Sequence, residues 1–441
     1  MSIKRIKVTN FKSFKDLDVE LGDFNIIIGA NASGKSNFIN IFRFLRDIST
    51  LGLDNAISIQ GGVEYLKNIN LNYEENLCMQ IICDNKYQFS SETKIGLIGL
   101  KIYQISYEFE IKFNKKGHGF KVIKDIIKQQ YNLHKLEKIN KIIEEKENLG
   151  NGEITITMLN GNIKKVIKKP NNINLNDEEI YPQILLFNSL LKTMKNSKNE
   201  DIILTDLFGK IKERKEYLLL ESPLFIFIMP RFENEFNKIS IYDFDPKLPK
   251  KTTTITGKSK LEEDGNNLSI VLKNIISNTD KKRKFNNLIK ELLPFVADIN
   301  YKKIVDKSLI FTLCEEFNKE EYLFASFLSD GTINIILQIV ALYFEDNILS
   351  IIEEPERNIH PYLISKLIDM MKDASKNKQL IITTHNPEII KHSELNDILL
   401  LSRDKEGFSN IIRPAEKEEV KIFIKNNIGI EELYVQNLLE M

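Results

Sequence analysis

Cysteine is scarce in this chain: Cys78, Cys83 and Cys314 are spaced as neither a metal-ligand set nor a disulfide framework. With no signal-peptide pattern at the start, they are expected to be reduced thiols of a cytoplasmic protein. Long apolar runs are also missing. None approaches the roughly eighteen residues that a membrane helix needs, so no membrane partner is expected. An excess of one charge is absent too, because 62 acidic residues balance 62 basic ones, and the total favours nucleic acid over no other partner. Histidine occurs only at positions 118, 134, 360, 385 and 392, which make no HNH-like cluster. There is no internal repeat and no low-complexity linker. What is present, 441 residues of which 42% are hydrophobic, can bury a sizeable core in two or three domains.

Against that background one segment stands out. Gly29-Ala30-Asn31-Ala32-Ser33-Gly34-Lys35-Ser36 is a complete phosphate-binding loop of the GxxxxGK[ST] type. The apolar run Phe24 to Ile28 before it predicts a buried strand. Asn37 to Leu45 after it predicts a helix with Phe38, Ile41 and Leu45 on one face. Gly29 and Gly34 let the backbone turn tightly enough for successive N–H groups to surround phosphates, and the following helix points its positive end at the same charge. Lys35 is expected to reach the β- and γ-phosphates, and the Ser36 hydroxyl to bind Mg²⁺.

The remaining candidates lie some three hundred residues on. Ile348 to Glu354 is a short apolar run ending in two acids, which suits a buried strand presenting carboxylates at its C-terminal end. Glu353 is the candidate for the Mg²⁺ shell and Glu354 for the general base acting on water. Read alone, Glu353-Glu354-Pro355-Glu356 is equally an acidic turn after a core strand. A helical segment from Tyr362 to Ser375 and a second apolar strand from Leu380 to Thr384 follow, ending at His385. A neutral imidazole there offers both a donor and an acceptor to a γ-phosphate or a water. This order fits one βαβ unit with both strand ends on one side. Upstream, Leu328-Ser329-Asp330-Gly331-Thr332 precedes an apolar helix that Ser329 can cap. That helix N-terminus offers bare N–H groups to an anion.

At these positions the sequence resembles ABC-type ATPases of the RecF, SMC and OLD branch. Gly29 to Ser36 matches Walker A, LSDGT at 328–332 looks like the signature motif, and Ile351 to Glu356 resembles Walker B with Glu353 replacing the usual Asp. Thr384-His385-Asn386-Pro387 looks like the switch histidine, Ile3 to Phe14 is similar to the branch's opening strand, and Gln60 sits where its Q-loop would be. The resemblance implies an α/β P-loop fold: a central, mostly parallel sheet with flanking helices, an antiparallel β-lobe and a helical insertion. It implies nucleotide contacts from Gly29, Asn31, Ala32, Ser33, Gly34, Lys35, Ser36 and Asn37, a Mg²⁺ set of Ser36, Gln60 and Glu353, and catalytic roles for Glu354, His385 and Gln60. ATP would be sandwiched in a head-to-head homodimer, or a higher homo-oligomer, with Ser329, Asp330 and Gly331 acting from the other copy. The longer Glu353 arm implies slow turnover, and Asp330-Gly331-Thr332 in place of two glycines argues against a transporter subunit.

The implied domains are 1–65 and 241–402 for the two halves of the ATPase core, 66–240 for the lobe and insertion, and 403–441 for a C-terminal extension. Within the middle, Tyr103 to Ile111 alternates and leads into the hairpin signal at 114–117. Glu153 to Met158 and Ile163 to Ile167 form a second predicted hairpin. Ile123 to Asn148 reads as a charged helix and Tyr181 to Ser197 as a more apolar one; three heptads at most exclude an SMC-type arm. Lysine clusters at 164–169, 247–251 and 281–284 are by themselves ordinary solvated faces; together with the resemblance they make DNA backbone binding an expectation without sequence readout. The chain looks like a stand-alone AAA-type ATPase without the TOPRIM nuclease domain, similar to the ATPase subunits of anti-phage systems such as Septu and PARIS. That resemblance implies control of a separate nuclease or toxin. The alternative is a RecF-type repair ATPase on gapped or broken DNA.

Overall fold

The structure, a computed structural model, describes residues 2–71, 75–114, 119–139, 142–159, 162–171, 173–181, 217–221, 235–255, 257–304, 307–426 and 428–439. The chain forms two compact units. One holds residues 1–21, 40–237 and 403–410, the other residues 22–39, 238–402 and 411–441. Residues 1–65 therefore divide between the units, after Leu21 and again after Ile39.

The first unit is built on a seven-stranded antiparallel sheet, in the order β2-β1-β4-β5-β6-β7-β8. Its strands are β1 (Ser2–Phe11), β2 (Phe14–Glu20), β4 (Leu77–Thr93), β5 (Gly96–Phe113), β6 (Phe120–Ile139), β7 (Ile142–Leu159) and β8 (Asn162–Lys168). Alternation fixes which face is buried. In β1 the side chains of Ile3, Ile6 and Val8 face the core, whereas Arg5 and Lys7 reach across to Asp18 at 2.6 and 2.9 Å. In β5 the buried set runs Ile98, Leu100, Ile102 and then Ile105, Tyr107, Phe109, Ile111. The switch from even to odd positions coincides with a register shift between Ile102 and Gln104, as a bulged residue requires. The two predicted hairpins are present as the antiparallel pairs β5/β6 and β7/β8, with the turn residues 115–118 and 160–161 outside the described residues.

The helix predicted over 123–148 is not there: the described residues of this stretch, 123–139 and 142–148, lie in β6 and β7. Its buried positions in β6 are Val122, Asp125, Ile127, Gln129, Tyr131 and Leu133, a period of two from 125 onward. Two of them are polar, so the alternation is hidden in the sequence beneath an abundance of charge, and helix propensity prevails on paper. Cross-strand pairing decides in the fold, with Ile127 opposite Tyr107 on one side and Ile156 on the other. The second predicted helix, 181–197, lies outside the described residues beyond Tyr181.

A second sheet, with its central strands in the second unit, has six strands among the described residues, ordered β17-β16-β3-β15-β14-β9. Its members are β3 (Phe24–Ile28), β9 (Ile239–Tyr242), β14 (Leu349–Glu353), β15 (Gln379–Thr384), β16 (Ile398–Arg403) and β17 (Ser409–Ile412). β9, β14, β15, β3 and β16 pair in parallel. Parallel strands are covered on both faces, which is why β3 and β15 are buried at every position. The predicted βαβ unit is present: β14, the helix Pro361–Ser375, then β15 alongside in register from Leu349 opposite Gln379 to Glu353 opposite Thr383. Ile26, Ile28, Ile352, Ile382 and Leu400 of the sheet pack in one core with Leu367, Ile368 and Met371 of that helix. Each such side chain contributes about 1.5–3 kcal/mol on burial. A small antiparallel sheet adds β10 (Thr253–Thr254), β11 (Val296–Lys303), β12 (Ser308–Glu315) and β13 (Asn318–Phe324).

Candidate nucleotide site

β3 ends at Ile28 and the helix Lys35–Leu51 begins seven residues later, so residues 29–34 form the connecting loop. Its turn is tight for a stated reason: Ala32 and Gly34 take left-handed backbone angles of φ 61° and 117°. A side chain at Gly29 would place its first carbon 2.3 Å from the Leu401 carbonyl oxygen, so only glycine lets the loop pass β16 at that distance. Lys35 Nζ donates to the carbonyls of Gly29 at 2.7 Å and Ala30 at 3.1 Å, which folds its ammonium over the loop. Burial pushes the Lys35 ammonium below its ordinary pKa, against an upward pull from Glu354 and Glu353. The first-turn residues Ser36 and Asn37 follow on the same helix, while Asn31 and Ala32 are exposed and Ser33 is buried.

The parallel pairing brings the other strand ends together. Glu353 closes β14, and the next residue, Glu354, sits at φ 44°, unusual for a side chain of this kind. Its N–H donates to the Thr383 carbonyl at 2.9 Å, which ties it to β15. Glu354 Oε1 lies 2.8 Å from His385 Nδ1, so the two candidates from separate strands meet. The other oxygen, Oε2, accepts from Arg357 Nη2 at 3.2 Å. Arg357 Nη1 in turn donates to Asp243 Oδ1 at 3.1 Å and to the Phe244 carbonyl at 3.3 Å. Glu356, next in the turn, is buried and accepts from Thr384 Oγ1; burial raises its pKa.

Ser329 caps the helix Asp330–Tyr343, its Oγ accepting from Thr332 N at 3.1 Å, as the sequence predicts. Asp330 pairs with Lys250 at 2.5 Å. Gly331 lies against the turn after β14: a first side-chain carbon there would be 2.4 Å from the Asn358 carbonyl oxygen. The same helix sends buried Asn334 to the carbonyls of Pro355 at 3.2 Å and Arg357 at 2.5 Å. His360 caps the Pro361–Ser375 helix, accepting from Tyr362 N at 3.3 Å, which is the capping role its position suggests. Gln60 belongs to the first unit, where it is buried and ends the short helix Leu53–Ile59.

Sequence reasoning missed Arg357, Asp243 and Asn334. Arg357 is visible as the one base in an acidic stretch, and Asn334 as a polar residue inside an apolar helix. Asp243 carries no local signal, because its relation to the turn comes from β9 pairing with β14.

Residues 1–390 match the model of a family described as AAA ATPase domain. The chain belongs to that family. Over 96 residues this AAA ATPase domain protein is 27% identical to an uncharacterized protein of Methanocaldococcus jannaschii, a match of 21% of the chain to 25% of that protein. The chain thus spans only a quarter of this curated relative. Among solved structures it is similar to the SMC head domain from Thermotoga maritima, at TM-score 0.41 and 13% identity over 94% of this chain and 99% of that one. It is also similar to a head domain bound to the C-winged helix domain of ScpA, at TM-score 0.42 and 13% identity over 93% and 98%. A Pyrococcus furiosus head domain with an extended coiled coil, bound to the C-terminal domain of ScpA, gives TM-score 0.41 and 13% identity over 97% and 99%. No described helix is long and apolar enough to cross a membrane.

Proposed function

We propose that the protein is a Mg²⁺-dependent ATPase that closes into a head-to-head homodimer, or a higher homo-oligomer, around ATP and uses closure as a switch on a separate effector. The observation that carries the reading is the 2.8 Å contact of Glu354 with His385 at adjoining strand ends, with the Lys35 loop following β3, the neighbour of β15. The loop fits a triphosphate, because its left-handed turn at Ala32 and Gly34 leads straight into a 17-residue helix whose N-terminus favours anions. Backbone N–H groups of 29–36 and the Lys35 ammonium hold the phosphates, with Asn37 beside them. Ser36, Glu353 and Gln60 would hold Mg²⁺, which would supply positive charge against the phosphates. Gln60 owes its place in that set to the resemblance.

Glu354 accepts a proton from the attacking water, and His385 orients that carboxylate and the water. Ser329, Asp330 and Gly331 complete the site from a second copy, where a capped helix N-terminus meets the γ-phosphate. ATP then adds free energy to closure only through contacts made in the closed state. By family resemblance the effector is a nuclease or toxin of an anti-phage system. The lysines of β8 are the feature that suits the RecF-type alternative, and salt-sensitive DNA binding stimulated by ATP would favour it.

The test measures solution mass and phosphate release for wild type and Glu354→Gln, with and without ATP and Mg²⁺. Loss of hydrolysis by about 10²-fold or more, with ATP-stabilised assembly, is expected. Unchanged phosphate release in the variant, and a mass indifferent to ATP, would overturn the reading.

A further inference from the structure

We propose that Arg357 is a positioning residue for ATP hydrolysis, which clamps the Glu354 carboxylate from the side opposite His385 and is itself anchored by Asp243. The inference rests on the reading of Glu354 as the base and extends it. Both oxygens of Glu354 are engaged, Oε1 with His385 and Oε2 with Arg357, so the plane of the carboxylate is set by two partners from different directions. A base held by one contact can swing about its last bond; one held by two cannot.

Arg357 is suited to the task. Its planar fork separates the duties of its two terminal nitrogens: Nη2 serves Glu354 while Nη1 serves Asp243 and the Phe244 carbonyl. The anchor stands on β9's C-terminal side and the base on β14's, two strands paired in parallel, so the clamp has a rigid footing. The Arg357 backbone is fixed as well, since its carbonyl accepts from Asn334 and its N–H donates to the Glu354 carbonyl at 3.0 Å. The local charges call for it. Glu353 and Glu356 flank the base, and among the described groups Arg357 adds a positive charge on the turn itself. A stability role is a poor account of the arrangement, because Arg357 is 40% exposed and Asp243 50% exposed, and ion pairs in that setting contribute little to folding.

The experiment is steady-state ATPase kinetics on the full chain, with melting temperatures and ATP affinity alongside, for Arg357→Ala, Arg357→Lys, Asp243→Asn, the Arg357→Ala/Asp243→Asn double variant and Glu354→Gln. Arg357→Ala should lower kcat by about ten- to a hundred-fold with KM for ATP and melting temperature nearly unchanged. Arg357→Lys should recover part of kcat, since the charge remains and the fork is lost. Asp243→Asn should lower kcat less, and the double variant should be no worse than Arg357→Ala alone, as expected of residues acting in one chain of contacts. If Glu354→Gln abolishes turnover while Arg357→Ala leaves kcat intact, the clamp is overturned and the base survives. If Glu354→Gln keeps turnover, the base itself is wrong. A rise in KM alone, or a loss of kcat matched by a collapse in melting temperature in both Arg357 variants, also overturns the clamp.

Discussion

Asp125 is buried in β6 beside the Tyr107 hydroxyl, and its Oδ2 accepts from Leu219 N at 2.5 Å; burial pushes its carboxyl up to about 8, with Glu221 adding to the rise. The folded chain therefore keeps a proton that the unfolded chain releases near the ordinary value of 3.8. Across that window the unfolded state binds fewer protons, so stability falls as pH rises and levels off above about 8, with a slope of at most about 1.4 kcal/mol per pH unit. Asp125→Asn should flatten this dependence, and melting curves between pH 5 and 9 in wild type and variant read it directly; equal slopes would refute it. Residue identity was legible where chemistry demands one type at one spacing, as at Gly29, Gly34, Lys35 and Ser36. It was not legible for Arg357 or Asp243, whose meaning lies in which strand stands beside which.

At the scale of elements, β3, β14, β15 and the helices Asp330–Tyr343 and Pro361–Ser375 could be read from apolar runs and caps, because burial on both faces leaves an unbroken hydrophobic signature. β6 could not, since Asp125 and Gln129 occupy core positions in its alternation. The helix Asp330–Tyr343 is held by close approach as much as by its cap. Gly331→Ala should force either the helix start or the Asn358 turn to move, because the added carbon meets that carbonyl at 2.4 Å. A loss of about 1–3 kcal/mol is expected, together with slowed phosphate release, since the same turn carries Glu354. Chemical denaturation and ATPase assays check both, and a variant with wild-type stability and rate would show that the helix and turn move independently.

For the whole molecule, the proposed completion of the site by a second copy would make activity depend on encounter. Specific ATPase activity per chain should rise with protein concentration before saturating, and a mixture of Lys35→Ala with Ser329→Arg should regain activity that neither has alone, because one of its two shared sites is intact. A rate per chain that is flat with concentration, with no gain on mixing, would place hydrolysis within a single copy. The division into two units was only partly readable. The N-terminal strand β1 pairs with β4 of the antiparallel sheet through seven registered residue pairs from Ser2–Asp84 to Thr9–Cys78, a partnership no local pattern in the sequence shows. That sheet has one further consequence. Among the described residues β8 is its last strand, and Lys164, Lys165 and Lys168 stand along it. An open edge is a template on which any stray extended chain can zip, and fibre growth begins that way. Among the described residues, lysines on such a border would make a newcomer lose hydration and meet repulsion, although Lys168 is also engaged by Glu153 at 3.0 Å.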